Sequence, residues 1–198
     1  MPRPVEFWFE FASPYSYIAA MGIEAAAAEA GVPVRWRPFL LGPVFKAQGW
    51  DDSPFNLYPA KGAYLWRDMA RECARLGLPF GRPSAFPRGS LPAARLLCAA
   101  PDAPWRGAFA RAVFTANFAE DRAIDTADVV AEILVALGLD PDPLIARAQS
   151  DGAKAALRAA TAEAMAAGLF GAPSFVVGGE LFWGNERRDS ALAVARAA

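Results

Sequence analysis

The chain has 198 residues and not one of them is histidine. That absence removes Ser-His-Asp and Cys-His catalysis and most catalytic zinc and iron sites, all of which depend on imidazole as base or ligand. Chemistry is left to carboxylates, Lys61, tyrosines, hydroxyls or a bound cofactor. Cysteine is almost as scarce: Cys73 and Cys98 stand far apart, each inside a helical pattern, with neither C-x-x-C nor zinc-ligand spacing. They read as buried helix thiols. Charge of one sign is also missing, since 20 basic residues face 21 acidic ones and neither sign forms a run of five. No field draws nucleic acid or an anionic membrane, and neither is an expected partner. Nor does any window approach the ~18 uninterrupted apolar residues of a spanning helix. Glu6 and Glu10 interrupt the N-terminus where a signal peptide needs an unbroken apolar stretch, so a cytoplasmic location is expected.

What the chain does have is apolar mass, 55% of its residues, enough at this length for one well-buried core. Its first clear pattern is Phe7-Trp8-Phe9-Glu10-Phe11-Ala12-Ser13-Pro14-Tyr15-Ser16-Tyr17. Phe7, Phe9 and Phe11 alternate with Glu6, Trp8 and Glu10, the period of a strand, here expected to run to Ala12. Ser13-Pro14 then reads as a helix N-cap followed by the first helical position, where a missing proline N–H costs nothing. A helix from Pro14 to Ala30, closed by Gly31, follows. Ser13 is a helix cap on this reading, with a functional role open to it by position.

Val32 to Leu40 alternates again, so residues 4–40 form a β-α-β unit with a right-handed crossover. Helical signals dominate from Leu41 to Gln149. Leu65, Met69, Cys73 and Leu76 make one stripe; Ser90 caps a segment through Cys98; Trp105 to Ala119 is a further helix. Asp125-Thr126-Ala127-Asp128 opens a helix stopped at Gly138, Asp140-Pro141 starts another, and Ser150 begins one ending near Gly168. Strands return on either side of Gly178-Gly179, a hairpin signal because a two-residue primed turn needs positive φ. A last helix is expected over about Asn185–Arg196. The fold class is therefore α/β, a β-α-β…α-β-β-α frame (residues 1–40 and 150–198) carrying a large all-helical insertion (residues 41–149).

That order, with Ser13-Pro14-Tyr15-Ser16 at the first strand–helix junction and Gly171-Ala172-Pro173-Ser174 entering the hairpin, resembles a DsbA-like thioredoxin fold with a helical insertion. Redox members place C-x-x-C where this chain has two serines, so dithiol exchange is excluded by chemistry. A narrower resemblance is to the 2-hydroxychromene-2-carboxylate isomerases, relatives of kappa-class glutathione transferases. It rests on the N-terminal run, on Pro59-Ala60-Lys61-Gly62-Ala63-Tyr64-Leu65-Trp66-Arg67-Asp68, on Phe86-Pro87-Arg88-Gly89-Ser90-Leu91, and on Gly168 to Arg187.

The resemblance implies a glutathione-dependent isomerase of bacterial aromatic degradation, a homodimer acting on a small aromatic carboxylate. It implies interconversion of 2-hydroxychromene-2-carboxylate and trans-o-hydroxybenzylidenepyruvate by reversible thiolate addition. Ser13 is then the catalytic residue beside the glutathione sulfur. Without histidine no base for a serine nucleophile is evident, so donation to a thiolate is its role. A helix N-terminus contributes about 0.3–1 kcal/mol, at most about 2, and a hydrogen bond to a charged acceptor about 1.5–3 kcal/mol. Together they bring a thiol with pKa near 8.5 within reach of neutral pH.

The resemblance further implies a cis Ala172–Pro173 bond and backbone pairing of Ala172 with glutathione. Lys61 would hold a carboxylate, and Asn185, Glu186 and Arg187 the γ-glutamyl end, the acid taking its ammonium. Lys61 also reads as a helix-start surface lysine, and Glu186 as an acid in a first helical turn. Tyr15, Phe39, Phe86 and Trp183, with Phe45 and Trp50, are candidates for an apolar substrate cleft, or for core. Relatives often carry Asp at the position of Glu186 and Asn at that of Gly89. Two other functions stay open: a kappa-class-like glutathione transferase, which consumes glutathione, and a non-catalytic thioredoxin-like binding protein.

Overall fold

In the computed structural model, which describes residues 2–197, the first three elements are strand β1 (Val5–Phe9), helix α1 (Pro14–Ala30) and strand β2 (Val34–Pro38). β1 and β2 run parallel, with Val5 opposite Val34 and Phe9 opposite Pro38. The other edge of β1 pairs antiparallel with β3 (Ser174–Val177), and β3 pairs antiparallel with β4 (Glu180–Trp183), giving the order β2-β1-β3-β4. Gly178 and Gly179 turn that hairpin at φ 59° and 91°, angles that glycine adopts without steric cost.

α1 keeps its expected bounds. Ser13 caps it in extended backbone geometry, its hydroxyl accepting the Ser16 N–H, and Gly31 closes it in the left-handed region at φ 68°. The first strand, however, ends at Phe9 rather than Ala12, because Ser13 N–H donates to the Glu10 carbonyl at 3.0 Å and closes a turn. The second strand shrinks to Val34–Pro38: beyond it the amides of Leu40 and Leu41 donate to the side chains of Thr161 and Glu10. The last helix begins as a 3-10 turn (Asn185–Arg187) before α10 (Arg188–Ala197).

Between β2 and β3 lie α2 (Leu41–Ala47), α3 (Pro54–Leu57), α4 (Pro59–Leu76), α5 (Leu91–Ala99), α6 (Arg106–Phe118), α7 (Ala127–Ala136), α8 (Pro141–Gln149) and α9 (Asp151–Ala166). Thr126, Asp140 and Ser150 cap their helices through side-chain oxygens. Ser90 occupies the cap position of α5 but makes no capping bond; its hydroxyl is buried without a partner among the described residues.

β1 is central, and both of its faces are buried. Phe7, Phe9 and Phe11 enter the main core with Trp36, Phe114 and Phe175, their rings in contact at 5.0–5.7 Å. Trp8 points the other way, into a smaller cluster with Phe39, Leu41, Val44, Ala164 and Leu169. Cys73 and Cys98 sit on α4 and α5, and burial pushes both thiols up to about 11.

Candidate functional site

The turn from β1 into α1 faces a cavity of about 860 Å³. Its wall on the sheet side is made by Glu10, Ser13, Tyr15, Ala172 and Trp183, and its far wall by the helical segment through Phe45, Trp50, Lys61, Tyr64 and Phe86. The cavity is thus mostly apolar with a few fixed polar groups, the ordinary character of a small-molecule site.

Ser13 is 6% exposed and is among the residues that line the cavity. Its Oγ donates to the Ala172 carbonyl at 2.9 Å while accepting the Ser16 amide at 3.3 Å. The Ala172–Pro173 bond is cis, as is Phe86–Pro87. One hydrogen bond therefore joins the start of α1 to the loop entering β3, across 159 residues of sequence.

The α4 motif has a geometric reason. Lys61, Tyr64 and Asp68 recur at helical spacing on one face. Asp68 accepts from Tyr15 at 2.9 Å, from Tyr64 at 3.3 Å and from Arg71 at 2.9 Å. Burial opposes ionisation there, but those donors hold the Asp68 carboxyl below its usual value. Tyr15 is raised in turn, first by burial and then by the Asp68 hydrogen bond, so its hydroxyl stays protonated as a donor. Lys61 lies 5.0 Å from the Tyr58 ring centre and enters no salt bridge among the described residues.

Several expected residues are not on this wall. Phe39 is fully buried, edge-on to Trp8 at 6.0 Å, and belongs to the core rather than to a cleft, because the β2–α2 corner turns it under the sheet. Ser16 is likewise fully buried. Pro173, Asn185, Glu186 and Arg187 do not line the cavity directly. Glu186 folds back over Gly184, where a Cβ would sit 2.7 Å from its carboxylate oxygens, and its charge adds to the upward shift of Tyr15. The Oδ1 of the neighbouring Asn185 is buried without a partner among the described residues.

Two wall residues that composition and motif reading passed over are Glu10 and Arg88. Arg88 is 7% exposed, and its guanidinium is spent on Asn117, the Arg122 carbonyl, Ser84 and Asp121. It builds the far wall and is not free for a ligand. Glu10 reaches Leu41 N–H at 2.8 Å, and burial pushes its carboxyl up to about 7, the Leu41 bond opposing the rise.

Residues 4–193 match the DSBA-like thioredoxin domain model. The chain belongs to the DSBA-like thioredoxin domain family. Within that family it is 29% identical over 195 residues to a 2-hydroxychromene-2-carboxylate isomerase of Sphingobium xenophagum, covering 96% of each chain. It is 30% identical over 179 residues to glutathione s-transferase kappa 2 of Caenorhabditis elegans, covering 86% of this chain and 79% of that protein. A solved structure of 2-hydroxychromene-2-carboxylate isomerase superposes with a TM-score of 0.83 at 27% identity, over 92% of this chain and 89% of the other. Ser13 and Ser16 stand at the start of α1, separated by Pro14 and Tyr15, and the chain's two cysteines lie elsewhere, on α4 and α5.

Proposed function

We propose that this protein is a glutathione-dependent isomerase of the 2-hydroxychromene-2-carboxylate type, with Ser13 as the group that steadies the glutathione sulfur. The observation that carries the reading is the Ser13 hydroxyl itself: capped on a 17-residue helix, 2.9 Å from the carbonyl before a cis proline, and opening onto an apolar cavity.

The residues present fit glutathione. Its two carboxylates and one ammonium need cations and an anion around an uncharged sulfur position. Among the described residues Lys61 offers an unpaired cation on one wall, Glu186 an anion near Tyr15, and the buried Asn185 Oδ1 lacks a partner. Bound glutathione would supply a thiolate for reversible addition to a conjugated carbon, the chemistry that lets a double bond rotate. The protein's part is to hold charge and exclude water. Ser13 Oγ swings its proton from the Ala172 carbonyl toward the sulfur, and the N-terminus of α1 adds a favourable dipole. Phe45, Trp50, Phe86 and Trp183 offer flat apolar surface to an aromatic ring.

The direct test follows the ultraviolet change of 2-hydroxychromene-2-carboxylate with and without glutathione, in wild type and Ser13→Ala. Turnover that needs glutathione, returns it unconsumed and falls in the variant supports the proposal. Full activity of Ser13→Ala overturns the role of Ser13. The kappa-class relative at 30% identity favours a second reading, a transferase sharing this site. Consumption of one glutathione per turnover would identify it.

A further inference from the structure

Glu10 is a polar side chain of the cavity wall to which the proposed isomerase chemistry assigns no task. The strand period carries it to the side of the sheet that Trp8 takes, opposite Phe9 and Phe11, where it is half-buried against the Leu41 backbone at the cavity wall. Among the described residues its side chain makes one hydrogen bond, from Leu41 N–H to Oε2 at 2.8 Å. Oε1 has no protein donor among the described residues, and Glu10 lines the cavity. Ser13 is three residues away, and Ser13 N–H closes the turn onto the Glu10 carbonyl, so carboxylate and hydroxyl are fixed on one tight turn facing one space.

We infer that Glu10 is the proton acceptor of this site, taking the proton from a glutathione thiol bound at Ser13 and holding it at Oε1. The inference rests on glutathione being the bound thiol. The thiol S–H bond breaks, an O–H bond forms on Glu10, and the electron pair stays on sulfur; the reverse transfer restores both groups. No proton need cross to solvent. The step answers a difficulty posed by the missing histidine: Ser13 steadies a thiolate but cannot remove its proton.

The charge environment agrees. Asp51, Asp52, Lys61, Tyr15, Tyr64 and Arg88 are the other ionisable groups around the cavity, and none hydrogen-bonds to Glu10. Asp52 is held by Ser53 and Asn56, Tyr15 and Tyr64 by Asp68, and Arg88 by Asp121. Arg37 on β2, which lies over the Trp8 ring, pairs with Glu163 on α9. Among the described residues Glu10 enters no salt bridge, and burial raises its carboxyl to about 7, close to the value a base at neutral pH needs. Carboxyl and thiol then share one proton as a coupled pair.

The test counts protons. Glutathione is titrated calorimetrically at about pH 8, above the carboxyl and below a free thiol near 8.5, in two buffers of different ionisation enthalpy, while ultraviolet absorbance reports thiolate. Wild type is expected to form thiolate with almost no proton released to buffer. Glu10→Gln keeps an acceptor for Leu41 N–H, and is expected to release most of one proton for each thiolate formed. Equal release from wild type and variant overturns the inference, as does a wild type that binds glutathione without forming thiolate. In both cases glutathione binding stands. Absence of any glutathione binding overturns this inference together with the function it rests on. If Glu10→Gln does not fold, the wild-type count alone decides, since release of a full proton contradicts the assignment.

Discussion

The two walls of the cavity are built differently. The sheet-side wall is backbone-determined: Ser13, Glu10 and Ala172 sit on turns tied by Ser13 N–H to the Glu10 carbonyl, Ser13 Oγ to the Ala172 carbonyl and Glu10 to Leu41 N–H, all between 2.8 and 3.0 Å. The far wall presents side chains from helix and loop, with Tyr64 59% exposed and Lys61 free of salt bridges among the described residues. Chemistry placed on the first wall gains fixed distances, and contacts placed on the second can adapt to a substrate. The walls are joined through Asn117, whose Nδ2 donates to the Phe11 carbonyl at 3.0 Å and whose Oδ1 accepts from Arg88 at 3.2 Å.

Cutting that join should have the largest effect. Asn117→Ala leaves a buried carbonyl and a buried guanidinium each short of a partner, and a loss of about 3 kcal/mol in denaturant unfolding is expected. Next comes the sheet-side wall. Ser13→Ala removes a hydrogen bond to a charged acceptor worth about 1.5–3 kcal/mol, which predicts a fall of roughly 10- to 100-fold in glutathione-dependent kcat/KM with little change in fold.

Glu10 gives a smaller, pH-dependent effect. Its carboxyl is raised to about 7 in the folded protein, so the native state binds more protons than the unfolded chain between its ordinary value of 4.5 and 7. Stability therefore falls as pH rises through that window and then levels off. Glu10→Gln should remove this decline, so that its melting temperature relative to wild type climbs from pH 4.5 to 7; a constant difference would contradict the burial of an unpaired carboxyl. The smallest effect belongs to the far wall. Lys61→Ala loses an exposed cation worth about 0.2–1 kcal/mol, and glutathione affinity should weaken only about 2- to 5-fold, an effect that added salt reduces.

The same contrast governs what could be read from the chain. Local signals placed α1 and its caps at Ser13 and Gly31, the helices capped by Thr126, Asp140 and Ser150, and the Gly178-Gly179 hairpin, because each depends on a few neighbouring residues. Ser13 was legible as a cap, and its partner Ala172 only through resemblance, since no local pattern connects residues 159 apart. Glu10 was visible as one of three alternating positions, yet its environment is set by Leu41, 31 residues later, and by a corner that the alternation of Val32–Leu40 ran straight through. Phe39 misled for the same reason: the corner that holds Leu41 against Glu10 also turns Phe39 under Trp8. Arg88 stands inside the Phe86–Leu91 block, where no local pattern marks the partners some thirty residues on, Asn117, Asp121 and the Arg122 carbonyl, that take up its guanidinium.

The measurement that bears most directly on the account is the pH titration of thiolate absorbance for glutathione bound to wild type and to Ser13→Ala. The account predicts a wild-type midpoint well below that of a free thiol, near 8.5, and an upward shift of about one to two units in the variant. Identical midpoints in the two proteins would contradict it.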